Sequence, residues 1–299
     1  HEEIDEANML GLDAIIIDHH HVPEVLPSAY AIINPKLHGE TYPFRDLCGA
    51  GTAFKVAQAL FRRFIPDHED QAKWLLDIVA TGTVADVMPL VGENRVLVTY
   101  GLIVLSRTKR VGFQEMFRVG RMPFSLEKKP SARDIAFQIA PRINAASRMA
   151  HAMLAHDLLM ESDADRANKL ALELEDHNNA RRKLSTEMVE QVSALVESEY
   201  ADKKFIFAVD EEYPYGIVGL IAGRIANELR KPTAVLTREG DESRGSFRSI
   251  PEFNVIEALE ECSDILVKYG GHAAAAGMTI KNEHLDIFYE RFNTLAMEQ

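Results

Sequence analysis

Short β-branched apolar runs, set between stretches of helical periodicity, constrain this chain more than any other feature. The run Asp13-Ala-Ile-Ile-Ile-Asp18 is apolar throughout between its two acids, the pattern of a parallel strand buried on both faces, and polar residues begin at its C-terminal end. From Cys48-Gly-Ala-Gly51 the period becomes helical, with Phe54, Ala57, Leu60 and Phe61 on one face. A second helical stretch carries Trp74, Leu75, Ile78 and Val79 and breaks into the segment from Thr81 to Pro89. Strands alternating with helices in this way predict an α/β layer architecture.

The same alternation restarts late in the chain. Lys204 to Asp210 reads as a strand, Ile217 to Leu229 as a helix, Thr233 to Leu236 as a strand, and Val255 to Glu261 as a helix. Between the two regions, Asp163 to Glu199 contains no Gly or Pro, and Leu170, Leu174, Leu184, Met188, Val192 and Leu195 recur at helical spacing. The expected organisation is one α/β domain over residues 1–160, a connecting helix over 161–199, and a smaller α/β domain over 200–299. A length of 299 residues suits two cores. With 46% hydrophobic and 26% charged residues, disordered and collagenous classes are excluded. Cys48 and Cys262 stand alone, which excludes a disulfide framework or a zinc–thiolate site and suits a reducing cytoplasm. No apolar run approaches the roughly 20 residues of a membrane helix.

Lys plus Arg number 33 against 46 Asp plus Glu, a net charge of -13, so bulk charge cannot draw this chain to nucleic acid. A local basic groove, or a metal site that concentrates carboxylates, remains compatible with it. Asp18-His19-His20-His21 follows a strand directly, where open α/β sheets place their ligands. Adjacent imidazoles diverge, so one can bind a metal while the next reaches a phosphate oxygen, with Asp18 orienting a ring. Solvated histidines at a polar strand end are the competing explanation. Asp86 ends a hydrophobic run and could ligate a hard cation, with Asn94 and Arg95 helping to hold it; a turn or helix-cap Asp is the alternative.

Pro141-Arg-Ile-Asn-Ala-Ala-Ser-Arg148 reads as a basic loop in which small residues let a phosphate backbone approach Arg142 and Arg148, with ordinary surface arginines as the alternative. Gly270-Gly-His-Ala-Ala-Ala-Ala-Gly277 is expected to be a helix entered through two glycines, with His272 in its first turn and its N–H groups facing an anion. Ser246, Arg248 and Ser249 of Gly245-Ser-Phe-Arg-Ser249 would add donors. Tight helix packing through Ala and Gly is the competing explanation there.

Together Asp18-His19-His20, Val84-Ala-Asp86 and the segments 141–148, 245–249 and 270–277 resemble, in order and over nearly the whole chain, the DHH phosphoesterase superfamily. Within it the resemblance is to the RecJ type, single-strand-specific 5′→3′ DNA exonucleases of repair and recombination. It implies a catalytic DHH domain, a connecting helix and a DHH-associated domain with DNA in the cleft between them, and a two-metal site using Mn²⁺ or Mg²⁺. It makes His19 and Asp86 metal ligands and sets His20 on the scissile phosphate. Ser246, Arg248, Gly271 and His272 would bind strand phosphates, and Arg142, Asn144, Arg148 and Ser249 would assist. Single-stranded DNA is the implied partner, with other repair or replication proteins and without a membrane.

The resemblance also implies two acidic motifs ahead of the Asp-His-His. Only 17 residues precede Asp18 and none match. The chain opens without Met inside a helix from Glu2 to Leu10 closed by Gly11, so its true N-terminus and most metal-binding carboxylates are expected to be missing and the chain inactive alone. The OB-fold of bacterial relatives is likewise expected to be absent after Gln299. Two further functions stay open at this point: a DHH hydrolase of short oligonucleotides or cyclic dinucleotides, and a non-catalytic single-strand-binding fragment.

Overall fold

The computed structural model describes residues 1–200 and 202–298 and divides into two compact units. The first comprises His1–Ala146 with Ala152–Glu175, the second Ser147–His151 with Asp176–Gln299.

The first unit opens with helix α1 (Glu2–Met9), closed by Gly11 at φ +74°, a left-handed conformation that costs glycine little. Strands β1 (Ile15–Ile17) and β2 (Ala31–Ile33) then pair in parallel, Ile15 opposite Ala31 and Ile17 opposite Ile33. Here the sequence expectation is corrected. Ile15 and Ile17 are 58% and 39% exposed rather than buried on both faces, because β2 is the one strand that pairs with β1 among the described residues.

Helices dominate the rest: α2 (Gly49–Phe64), α3 (Leu76–Ala85), α4 (Gly92–Leu105), α5 (Val111–Val119), the one-turn α6 (Ala132–Asp134), α7 (Ala140–Met149), α8 (Met153–Met160) and α9 (Ala164–Leu195). Cys48 caps α2, its Sγ accepting the Gly51 N–H. Helix α3 does not break at Thr81. The Thr81 and Thr83 hydroxyls donate to the carbonyls of Asp77 and Val79 four residues back, so both buried groups are satisfied inside the helix. The core joins Val98, Leu105, Phe113, Phe117, Ile135, Ile139, Leu158 and Leu174. Helices α3 and α4 cross at Gly101, where an added Cβ would meet Ala80 Cβ and the Leu76 carbonyl at 2.5 Å.

In the second unit a five-stranded sheet has the order β3-β4-β5-β7-β6. Strand β3 (Ile206–Asp210) leads through α10 (Val218–Leu229) to β4 (Thr233–Glu239), and these strands are parallel. A tight turn through Gly240 (φ +59°) reverses into β5 (Glu242–Arg248). Helix α11 (Val255–Glu260), strands β6 (Leu266–His272) and β7 (Ala275–Lys281), and α12 (Leu285–Glu298) complete it. Phe205, Phe247, Phe288 and Phe292 form an aromatic core on one side of the sheet, and Ile206, Ala208, Ile221 and Ile225 pack with Val192 of α9 on the other.

The expected helix over Gly270–Gly277 is instead the β6–β7 hairpin, with His272 paired to Ala275. Local alanine propensity yields to tertiary pairing, since Ala276 is 5% exposed within the aromatic core. Gly271, at φ +151°, lies where a Cβ would come within 2.5 Å of Ala276 Cα. The stretch 141–148, read as a loop, is helical within α7. Among the described residues no helix is long and apolar enough to cross a membrane.

Helix α5 meets α8 at Gly112, where a Cβ would stand 1.8 Å from the Leu158 carbonyl oxygen. Backbone cannot yield that distance by rotamer change. Gly112→Ala is therefore expected to destabilise by about 3 kcal/mol or more, read as a lowered urea midpoint, whereas the exposed Gly39→Ala, with nothing within 4 Å, should register only its backbone strain.

Candidate functional site

In the first unit, Asp18 extends the strand ladder by donating its N–H to the Ile33 carbonyl. The next residues diverge as neighbouring loop side chains must. His19 turns inward, its side chain 13% exposed, and brings Nε2 to 3.4 Å from Asp86 Oδ2. His20 stays outside, 76% exposed, with Nδ1 at 2.7 Å from Asp18 Oδ1. Its carbonyl accepts from the Asn34 amide, which fixes the turn. Burial would push the Asp18 carboxyl up, but the His19 N–H and the His20 ring and N–H outweigh it and hold the group below its ordinary value. Burial lowers the His19 imidazolium by more than the Asp86 carboxylate raises it, which favours the neutral ring that a metal ligand needs.

Asp86 is the C-terminal cap of α3. An acid there faces the negative end of the helix dipole and loses stability unless a positive partner meets it. The following Val87 takes φ +55°, costly for a β-branched residue, and the chain turns away sharply. Asn94, fully buried, donates to the carbonyls of Asp46 and Pro89. It therefore holds the segment after Asp86 and not the carboxylate itself.

A divalent cation fits this place. Two donors of one octahedral ion at right angles stand about 3 Å apart, close to the His19–Asp86 separation. Ligand atoms of Asp18, His19 and His20 also lie within 4.8 Å of one another, and mixed imidazole and carboxylate donors suit Mn²⁺. His19 Nδ1 is buried without a hydrogen-bond partner, so its ring is not yet committed on that side. These donors are enough for one cation; a pair would require more oxygen ligands than this cluster holds.

Arg142 of α7 is already engaged. Its Nε lies 2.5 Å and its Nη2 3.1 Å from the Glu175 carboxylate, and Nη1 donates to the Gln138 carbonyl. Asn144 is exposed on the same helix.

The second unit gathers most of the remaining candidates around one cavity of about 600 Å³. Ser147, Arg148, Gly216, Ser246 and Arg248 line it, and no carboxylate does. Arg148 donates from Nη1 to the Gly216 carbonyl at 2.9 Å. Arg248 Nη1 donates to Ser246 Oγ at 2.5 Å and to the Phe247 carbonyl at 2.6 Å. Gly219 makes room, since a Cβ there would stand 2.9 Å from Arg248 Nη2. Burial holds both guanidinium groups below their ordinary value, and the charge of Arg148 lowers Arg248 further. Arg181 of α9 joins them: burial and then Arg148 lower it, and its Nε is buried without a partner. Positive charges pressed together without an acid are the arrangement in which an anion can be held.

Sequence reasoning missed Arg181, although the polar run Asp176 to Arg182 interrupts the apolar stripe of the long helix and Asn178 within it is 2% exposed. Gly271 lines the cavity through the hairpin, and His272 ends β6. Ser249 has a different task, its hydroxyl donating to the Phe253 carbonyl at 2.6 Å and its N–H to the Ala274 carbonyl.

Residues 1–83 match the family described as DHH family, N-terminal domain, and residues 202–298 match the DHHA1 domain. Over 292 residues the chain is 39% identical to the single-stranded-DNA-specific exonuclease RecJ of Bacillus subtilis, covering 97% of this chain and 36% of that protein. The crystal structure of RecJ from Thermus thermophilus in complex with Mn²⁺ aligns with a TM-score of 0.86 at 31% identity, over 100% of this chain and 43% of that one. A crystal structure of exonuclease RecJ bound to manganese aligns with a TM-score of 0.79 at 31% identity, over 100% of this chain and 73% of that one. The chain thus spans less than half the length of the first two relatives.

The Arg142–Glu175 pair is 12% and 19% exposed. Removing one partner strands the other, so Arg142→Ala is expected to cost about 3 kcal/mol in thermal or urea unfolding. An unchanged midpoint together with weakened oligonucleotide binding would return Arg142 to a phosphate-binding role.

Proposed function

Since the chain belongs to the DHH phosphoesterases of the RecJ type, we propose that it forms the metal-binding and strand-holding portion of a cytoplasmic, Mn²⁺- or Mg²⁺-dependent exonuclease that digests single-stranded DNA from its 5′ end in repair and recombination. The meeting of His19 with Asp86 carries this reading. It sets an imidazole and a carboxylate 3.4 Å apart at a strand end, in the separation and mixture that a hard divalent cation takes. When bound, Mn²⁺ or Mg²⁺ supplies a Lewis acid that lowers the pKa of water and screens phosphate charge.

The chain's own residues do the rest. Asp18 holds the His20 ring through Nδ1, leaving Nε2 of that exposed imidazole to meet a phosphate oxygen. In the second unit, Arg148 and Arg248 with the Ser246 hydroxyl supply a fork of donors for a phosphate at the 5′ side of the strand. Gly216 and Gly219 leave room for these arginines, since a Cβ at either would stand 2.3 Å from the Arg148 carbonyl oxygen or 2.9 Å from Arg248 Nη2, respectively. Strand binding falls as salt rises, with a slope set by these few cation–phosphate contacts.

Mn²⁺ titration followed by electron paramagnetic resonance, beside fluorescence titration of a 5′-phosphorylated single strand, tests both halves. His19→Ala should weaken Mn²⁺ binding by more than about 10-fold and abolish any metal-dependent digestion, while leaving metal-free strand binding intact. Arg248→Ala should weaken strand binding about 10-fold without changing Mn²⁺ binding. Equal Mn²⁺ affinity in His19→Ala and the parent sinks the metal assignment. Selective binding of dinucleotides over longer strands would move the function to a hydrolase of short oligonucleotides.

A further inference from the structure

The positive surface of the second unit does not end at the phosphate cavity. Across β5 and β7, Arg248 stands opposite Ala275, Ser246 opposite Gly277, and Arg244 opposite Thr279. Strand β6 continues each row with His272, Gly270 and Lys268. Residues two apart on a strand share a face, so one face of the sheet carries three successive rows. The middle row, Ser246-Gly277-Gly270, has almost no side chain. It forms a trough with Arg248 at one end and Arg244 and Lys268 at the other.

A second cavity of about 380 Å³ occupies that far end, and Tyr215, Arg244, Lys268 and Thr279 line it. It shares Tyr215, Gly245, Gly270 and Gly277 with the phosphate cavity, so the two are continuous along the trough. Arg248 and Arg244 are four residues apart on β5, roughly 13 Å at strand rise, too far for one phosphate to bridge. Lys268 is exposed and pairs with no carboxylate among the described residues. Glu239 pins one edge of Arg244 at 2.8 Å, and the guanidinium lies over the Tyr215 ring at 4.1 Å. Tyr215 itself remains 51% exposed. A ring and a guanidinium plane held together beside an unpaired ammonium are the parts from which single-strand sites are built: stacking for a base, charge for the backbone.

We infer that this second cavity is a nucleotide subsite, in which Lys268 meets a further phosphate of the strand and the Tyr215–Arg244 stack receives the adjoining base. The inference rests on the assignment of the Arg148–Arg248 cavity to a strand phosphate. It makes affinity grow with strand length beyond the first nucleotide, through a surface that reads no sequence, because every base has a π-face.

The test compares 5′-phosphorylated oligothymidylates of increasing length with thymidine 5′-monophosphate, as competitors for a fluorescent single strand, on the parent chain and on Lys268→Ala, Tyr215→Ala, Tyr215→Phe and Arg248→Ala. Lys268→Ala and Tyr215→Ala should each weaken oligomer binding about 10-fold and leave the mononucleotide within about 2-fold. Lys268→Ala should also reduce the salt slope by about 1, and Tyr215→Phe should retain parental affinity. Unchanged oligomer affinity in both alanine variants overturns the subsite, as does an equal loss for oligomer and mononucleotide, which would make these residues mere supports of the first cavity. If Arg248→Ala changes nothing, the phosphate assignment itself fails; if it weakens every ligand while the other variants do not, only the second subsite falls.

Discussion

The pairing of β5 with β7 is the constraint on which the second unit depends. Residues Glu242 to Arg248 lie opposite Lys281 to Ala275 without a bulge. Because side chains alternate, a slip of one residue would send Arg244, Ser246 and Arg248 into the aromatic core and turn Phe247 into the trough. Phe247 prevents it. Its ring is fully buried, stacked on Phe205 at 5.9 Å and against Phe292 at 5.2 Å. Burying an aromatic ring is worth roughly 2–3 kcal/mol, and exposing it while burying two guanidinium groups would cost far more. The apolar face thus decides where the cations stand. Gly245 completes the fit, since a Cβ there would meet the Val235 carbonyl at 2.1 Å.

Much of this was legible in the sequence wherever one period ran unopposed. The long helix showed itself by its apolar spacing and lack of Gly and Pro; β3, β4 and α10 showed themselves by β-branched and helical runs. The Asp-His-His motif and Asp86 stood out in the sequence as candidates, beside the alternatives of solvated histidines and a helix-cap Asp, and the fold brings His19 to 3.4 Å from Asp86. What was hidden depended on partners distant in sequence. Four alanines after two glycines favour a helix locally, and only the edge of β5 makes them a hairpin. Arg142 looked like Arg148 in the same short segment until Glu175, 33 positions away, claimed its guanidinium. The three-residue strand β1 reads as buried from composition, but its exposure is set by what lies beside it. The row that joins Arg244 to Lys268 could not be found from spacing at all, since register relates them and sequence distance does not.

The two sites share a physical logic of opposite sign. Asp86 places a negative charge at the negative end of α3, and Val87 after it bears a strained backbone. Arg148, Arg181 and Arg248 place positive charges beside one another with no acid in the cavity. Each arrangement costs the isolated fold stability, and neither is needed for packing, which the apolar contacts around Phe113 in one unit and Phe205 in the other already provide. Under the proposed function, a ligand of opposite charge relieves this local frustration, a cation at the first and an anion at the second, and the strain returns as binding energy. In a chain of net charge -13 the long-range field repels a polyanion, and salt screens that repulsion beyond about 10 Å. A polyanion would then be attracted only by contact within the trough, where low dielectric and fixed donors strengthen each interaction. Under the proposed function, that division lets an acidic chain hold an acidic polymer: the overall charge is set by the exposed surface, and recognition falls to Arg244 and Arg248, which the β-sheet register aligns on one face, with Arg148 beside Arg248 at the first cavity.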